Sequence, residues 1–176
     1  MERKIVGITM GDPASIGPEI SAKVLVNEEI YKKCKPIIIG DGSTMIKALE
    51  LIKKENFEIN SIKNIKEAKF TYGIIDIYDL ENIDINTIQA GKVSKIAGEA
   101  SFQYVDKVID LALDKKIDAT VTNAFNKESI NLAGHNYSGH TELYAKKTNT
   151  KKYTMLLAYE NLRVLHVSTH VSLREA

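Results

Sequence analysis

The sequence is poor in the features that would stabilise or localise a protein from outside its own core. A single cysteine, Cys34, lies in the polar run Tyr31–Lys35 and can form no intramolecular disulfide. That excludes a disulfide-stapled module and fits a reducing cytoplasm. Net charge is nearly absent: 24 Lys and Arg against 23 Asp and Glu leave +1, so no overall field draws the chain toward nucleic acid or an anionic membrane. A phosphate-bearing small molecule stays compatible, because a local site can be basic on a near-neutral protein. Long apolar runs are missing as well. Met1-Glu2-Arg3-Lys4 leads into the short stretch Ile5, Val6, Ile8, interrupted at Gly11 and Pro13, so neither signal peptide nor membrane span is expected. There is no internal repeat and no low-complexity linker. The expectation is a soluble, cytoplasmic protein.

What is present is ample apolar material, 44% of 176 residues, enough for the packed core of one domain or of one domain with the start of another. Lys4–Thr9 reads as a β-branched strand, and the segment from Pro18 to Val26 has helical composition with Pro18 at a first-turn position. Pro36–Ile39 and Thr44–Lys54 repeat that strand-then-helix unit. Between Asn56 and Gln89 the signal is weaker: Ile74–Tyr78 reads as a strand and Leu80–Thr87 as a loop. From Lys92 to Lys115 the apolar positions Val93, Ile96, Ala97, Ala100, Tyr104, Val108, Leu111 and Ala112 follow a period near 3.6 and predict a long core helix. Ala119–Thr122 is a short strand, Ser129–Ala133 and Thr141–Lys147 are helical, and Gly134–Gly139 is a polar loop. Tyr153–Ala158 and Leu162–Ser168, split by Tyr159-Glu160-Asn161, predict an antiparallel hairpin. Alternating strands and helices predict an α/β fold with a mainly parallel sheet, whose ligands gather beyond the carboxyl ends of the strands.

Three clusters fall at such places. Gly11-Asp12-Pro13-Ala14-Ser15-Ile16-Gly17-Pro18-Glu19 joins the first strand to the first helix. Its glycines allow close backbone approach and a helix N-terminus favours anions. It is neither the dinucleotide fingerprint nor a P-loop, and on spacing alone a plain strand-to-helix turn is the commoner reading. The second cluster runs Thr122-Asn123-Ala124-Phe125-Asn126-Lys127, then Ala133-Gly134, then Ser138-Gly139-His140-Thr141-Glu142. It sets His140 at a helix start, with Thr141 as candidate N-cap; a neutral His140 there would donate to a substrate hydroxyl or phosphate. An isolated Gly-His-Thr is more often an ordinary cap. The third cluster is Leu165-His166-Val167-Ser168-Thr169-His170. His166 and His170 share a strand face but stand roughly 13 Å apart, too far to grip one metal. His170, at the strand's end, is the better ligand candidate; His166 reads as a hydrogen-bonded interior residue and His135 as solvated.

Taken in order, these clusters become specific. Ile8-Thr9-Met10-Gly11-Asp12-Pro13-Ala14 with Ile16-Gly17-Pro18-Glu19, Thr122 with Asn126-Lys127, Ala133-Gly134, Gly139-His140-Thr141-Glu142, and Thr169-His170 with Leu173-Arg174 resemble the 4-hydroxythreonine-4-phosphate dehydrogenase family. The resemblance spans this chain but only about the front half of a family member. It implies a fold similar to isocitrate and isopropylmalate dehydrogenases: a mainly parallel sheet with helices on both faces, residues 1–133 forming a first α/β domain without its last strands and 134–176 beginning a second. It implies a homodimer, His140 and Thr141 as the substrate pair, Lys127 as a basic position beside the cleft, and His170 as the first of three metal-binding histidines; from the charge balance and the short apolar runs, no nucleic-acid or membrane partner is expected. The implied cofactors are NAD or NADP and a divalent metal, Zn, Co, Ni or Mg; catalytic and nucleotide-contacting residues are not assigned.

The implied reaction is oxidation, with decarboxylation, of 4-phosphohydroxy-L-threonine in pyridoxal phosphate biosynthesis. Relatives sharing most of these motifs oxidise threonate or erythronate 4-phosphate. Two departures stand out: Ser15 replaces a usual glycine, which restricts the loop if positive φ is needed there, and Asn123-Ala124-Phe125 lacks the usual proline, which loosens the loop carrying Lys127. An isopropylmalate-type dehydrogenase would share the first loop but binds metal through aspartates. A non-catalytic remnant is the other rival, and this chain alone is expected to be inactive because two metal histidines belong to motifs it does not contain.

Overall fold

A computed structural model of the chain describes residues 2–167 together with Ser172 and Arg174. Along the chain run β1 (Ile5–Thr9), α1 (Gly17–Leu25), α2 (Glu28–Lys33), β2 (Lys35–Gly40), α3 (Gly42–Leu51), β3 (Glu58–Ile62) and β4 (Ile74–Asp79). They are followed by α4 (Lys95–Leu113), β5 (Ala119–Thr122), α5 (Lys127–Leu132), α6 (His140–Lys147), β6 (Leu156–Tyr159) and β7 (Leu162–Leu165), with short 3₁₀ turns at Ile65–Glu67 and Ile85–Thr87.

Five strands form one sheet in the order β3-β4-β2-β1-β5, and every pairing in it is parallel. The chain moves outward from β1 to β3 through α1, α2 and α3, then returns and crosses to β5 through α4. Right-handed crossovers in opposite directions put α1 and α3 on one face and α4 on the other. The expected α/β architecture is therefore present. Being covered on both faces explains why Ile37, Ile38 and Ile39 of β2 are all fully buried, a continuous apolar run rather than an alternating one. Tyr104, Val105, Val108 and Ile109 of α4 are buried with them, and Leu143 of α6 joins the same core.

The long helix begins at Lys95, later than its apolar pattern predicted, because the Ser94 side chain accepts the Ala97 N–H and caps it. Two elements had no counterpart in the sequence reading: α2, capped by Asn27, and the edge strand β3. The hairpin is present and shorter than predicted, with pairs running from Leu156↔Leu165 to Tyr159↔Leu162.

Candidate functional site

The connection after β1 leads to one side of the sheet, whereas β5 is reached from across it. The carboxyl ends of β1 and β5 thus flank the point where the strand order reverses, the place where open α/β sheets bind ligands. Two loops meet there. Gly11 has φ +79°, and a Cβ on it would stand 2.6 Å from the Ala124 carbonyl; a Cβ on Gly17 would collide with the Met10 carbonyl. The Asp12 N–H donates to that Ala124 carbonyl at 3.1 Å. The buried Asp12 carboxylate accepts the Ala14 N–H at 2.8 Å. Burial raises its pKa, while the Ala14, Ser129 and Asn126 contacts pull the other way.

Asn123 ties the second loop to the first. Its Nδ2 donates to Ser21 Oγ at 2.7 Å, to the Gly17 carbonyl at 3.3 Å and to the Met10 carbonyl at 3.5 Å, and its N–H donates to Thr9 Oγ1 at 3.2 Å. The loop expected to loosen without its proline is instead pinned by this amide. Ser15 is exposed and its φ is not positive, so it brings no strain.

Lys127 opens α5 directly after its cap Asn126, whose Oδ1 accepts the Ser129 N–H at 3.0 Å. It is exposed and forms no ion pair among the described residues. His140 opens α6 and Thr141 follows it. The N-cap is Gly139, in extended conformation, and no side chain caps the helix, so Thr141 is not the cap. Four helices are capped by Asn27, Asp41, Ser94 and Asn126. The two without a side-chain cap, α1 and α6, both begin in loops that contact the Asn123–Phe125 segment.

The His140 ring lies against Phe125 with centroids 4.0 Å apart. Its Nε2 is buried without a hydrogen-bond partner among the described residues. Burial lowers the imidazole pKa from its ordinary 6.5, opposed by the neighbouring Asn123 carbonyl, which favours the neutral imidazole. A neutral imidazole and uncapped amides form a polar, uncharged cradle suited to an anionic, hydroxyl-bearing ligand.

His135 is not the solvated residue expected. Its Nε2 meets Glu99 Oε2 at 2.7 Å and its ring stacks on Phe102 at 3.6 Å, fastening the 134–139 loop to α4. Burial would raise the Glu99 pKa, but hydrogen bonds from His135 and Gln103, with the charges of His135 and Lys95, together hold it below the ordinary value. His166 is half-buried rather than interior, and its backbone carbonyl accepts from Thr154 Oγ1 at 2.9 Å. His170 lies outside the described residues, as do Thr169 and Leu173. No group of three or more His, Cys, Asp or Glu side chains is placed to hold a metal among the described residues. Burial pushes the Cys34 thiol up, away from reactivity. Beside the first loop an open, mainly apolar groove of about 530 Å³ is lined by Pro13, Ile16, Lys47, Leu51, Ile88 and others. Sequence reasoning missed Asn123 and Phe125 as site residues; the departure they represent was the signal.

A family model described as "Pyridoxal phosphate biosynthetic protein PdxA" matches residues 32–176. A Clostridium botulinum (strain Hall) protein named "Putative D-threonate 4-phosphate dehydrogenase" is 44% identical over 174 residues, 99% of this chain and 52% of that protein. The crystal structure of a 4-hydroxythreonine-4-phosphate dehydrogenase from Burkholderia phymatum matches with a TM-score of 0.92 and 36% identity, over 99% of this chain and 52% of that one. That of the Klebsiella pneumoniae 4-hydroxythreonine-4-phosphate dehydrogenase matches at 0.89 and 37%, over 98% and 52%. The chain spans about half the length of the curated relatives it matches.

Proposed function

The chain belongs to the family described as pyridoxal phosphate biosynthetic protein PdxA, whose members named above are dehydrogenases, and from that premise we propose that it forms the substrate-binding part of a dehydrogenase acting on a phosphorylated four-carbon hydroxy acid. What carries the proposal is the pair of uncapped helix N-termini, α1 and α6, at one switch point. Such termini attract anions, and a phosphorylated acid brings two. In this reading the first-turn amides of α6 hold one anionic group, His140 and Thr141 orient the substrate, and the exposed Lys127 adds positive charge at the rim.

NAD, when bound, would supply the acceptor for hydride from the carbon that bears the substrate hydroxyl, the hydroxyl proton leaving to solvent, and the β-keto acid formed from 4-phosphohydroxy-L-threonine would lose carbon dioxide; NADP would serve the same chemistry. The described residues do not by themselves fit a metal site, so no step here depends on a metal, and His170 stands as a proposed ligand. The relative's name favours a second substrate, D-threonate 4-phosphate. The reading also includes a homodimer and a domain division near residue 133. The separate two-stranded sheet supports a second unit, although Leu143 packs into the first core.

The test uses a chain extended to the length of the relatives, assayed for NADH formation with each of the two substrates and compared with this chain, which is expected to be inactive. In the extended chain His140→Ala should weaken substrate binding about tenfold or more and leave bound metal unchanged, whereas His170→Ala should lower metal and turnover together. Loss of metal in the His140 variant, or intact metal in the His170 variant, would reverse the two assignments. Turnover with neither substrate would sink the reading.

A further inference from the structure

Buried polar atoms in native proteins nearly always have partners, and one without a partner calls for an explanation. His140 Nε2 is such an atom. It belongs to a residue read above as substrate-binding, yet no ligand can touch it as it stands, because it is sealed from solvent. The ring set against the His140 imidazole is Phe125, 4.0 Å away centroid to centroid and tilted by 32°.

The chain on either side of Phe125 is fixed. Before it, the Asn123 N–H is committed to Thr9 Oγ1 at 3.2 Å, and its side chain reaches Ser21 Oγ at 2.7 Å. The Ala124 carbonyl receives the Asp12 N–H at 3.1 Å. After it, Asn126 caps α5 through the Ser129 N–H at 3.0 Å, and its own carbonyl accepts the Ile130 N–H at 3.1 Å. With the backbone held from both sides, the freedom left at this position is rotation of the phenyl ring about its side-chain torsions. Phe125 is only partly buried, so there is solvent for the ring to turn into.

We propose that Phe125 is the positioning residue of His140: its ring seals Nε2, and a ligand group reaches that nitrogen only when the ring turns aside while the loop backbone stays in place. This rests on the reading of His140 as a substrate residue and deepens it. The ring covers the imidazole, and its displacement couples ligand binding to exposure of a nitrogen able to hydrogen-bond. An aliphatic side chain would cover less of the imidazole face. The ring therefore also narrows the site, so that ligands able to displace an aromatic ring are selected over those that merely fit beside it.

The test needs no substrate and uses this chain as it is. Diethyl pyrocarbonate acylates unprotonated imidazole nitrogens, and peptide mass spectrometry reads the rate at each histidine, with the half-buried His166 as internal reference. Phe125→Ala and Phe125→Leu should each raise the His140 to His166 rate ratio about tenfold or more, while Phe125→Tyr should retain the parent ratio. Amide exchange of Asp12, bonded to the Ala124 carbonyl, should be unchanged in all three. A ratio unmoved by both Ala and Leu would overturn the proposal, as would a parallel rise in Asp12 exchange, which would mean that the loop opens rather than the ring. Because no turnover is measured, failure here leaves the dehydrogenase reading standing, and failure of that reading leaves this result interpretable.

Discussion

Asn123 holds three carbonyl or hydroxyl acceptors, one at the end of β1 and two in α1, with one amide group, so its removal should be felt well beyond its own position. Asn123→Ala leaves Ser21 Oγ and the Gly17 and Met10 carbonyls without that donor, and should cost about 1–3 kcal/mol of stability, read as a lowered urea midpoint. Asn123→Asp should be worse, since it turns a carboxylate toward carbonyl oxygens. An Asp variant more stable than the Ala variant would show that the amide is not the latch. None of this could be read from composition: an asparagine in a loop is the commonest of turn residues, and only the parallel pairing of β1 with β5 brings Asn123 within reach of Gly17 and Ser21. His140 was legible because a helix start with glycine before it is a local signal. Its Phe125 cover was not, because that contact joins the start of α6 to a separate loop.

Among the elements, legibility followed length and periodicity. The nineteen residues of α4 carry enough turns for an apolar stripe to stand out. The six of α2 do not, and only its Asn27 cap betrays it. Edge strand β3 was missed because its polar residues are satisfied by neighbours rather than by solvent: Asn60 donates to Asp76 Oδ1 at 2.6 Å and Ser61 to Asp79 Oδ2 at 2.8 Å. Helix α4 also anchors the loop that leads into α6, through Glu99 and His135. The Glu99 carboxyl ordinarily titrates at 4.5 and is held lower in the fold. Its charge therefore contributes stability above the unfolded value, and the contribution is lost as pH falls through the lower folded value. Glu99→Gln should be less stable than the parent at about pH 6, by no more than about 1 kcal/mol because the side chain is well exposed. The gap should close at about pH 3. A gap that persists in acid would assign the effect to shape rather than charge.

At the scale of the whole molecule, hairpin β6–β7 stands apart from the five-stranded sheet and is exposed along its full length. One of its faces carries Leu157, Tyr159, Leu162 and Val164, and the other carries Leu156, Ala158, Arg163 and Leu165. Apolar residues on both faces are the pattern of a strand pair covered from two sides, yet Leu157 is 51% exposed, Leu162 62% and Leu165 61%. An isolated two-stranded ribbon is marginal on its own, and a net charge of +1 gives little repulsion between molecules. The chain should therefore self-associate through the hairpin, with a sedimentation coefficient that rises with protein concentration. Replacing Leu157 and Leu162 together by Ser removes apolar area from one face without touching the core, so it should suppress that rise and leave the urea midpoint of the sheet domain unchanged. If the double variant associates as strongly as the parent, the sticky surface lies elsewhere, and the exposed stripe Ile16, Ile20 and Val24 along α1 is the next to substitute. A lowered midpoint would instead mean that the hairpin contributes to the fold of the first sheet.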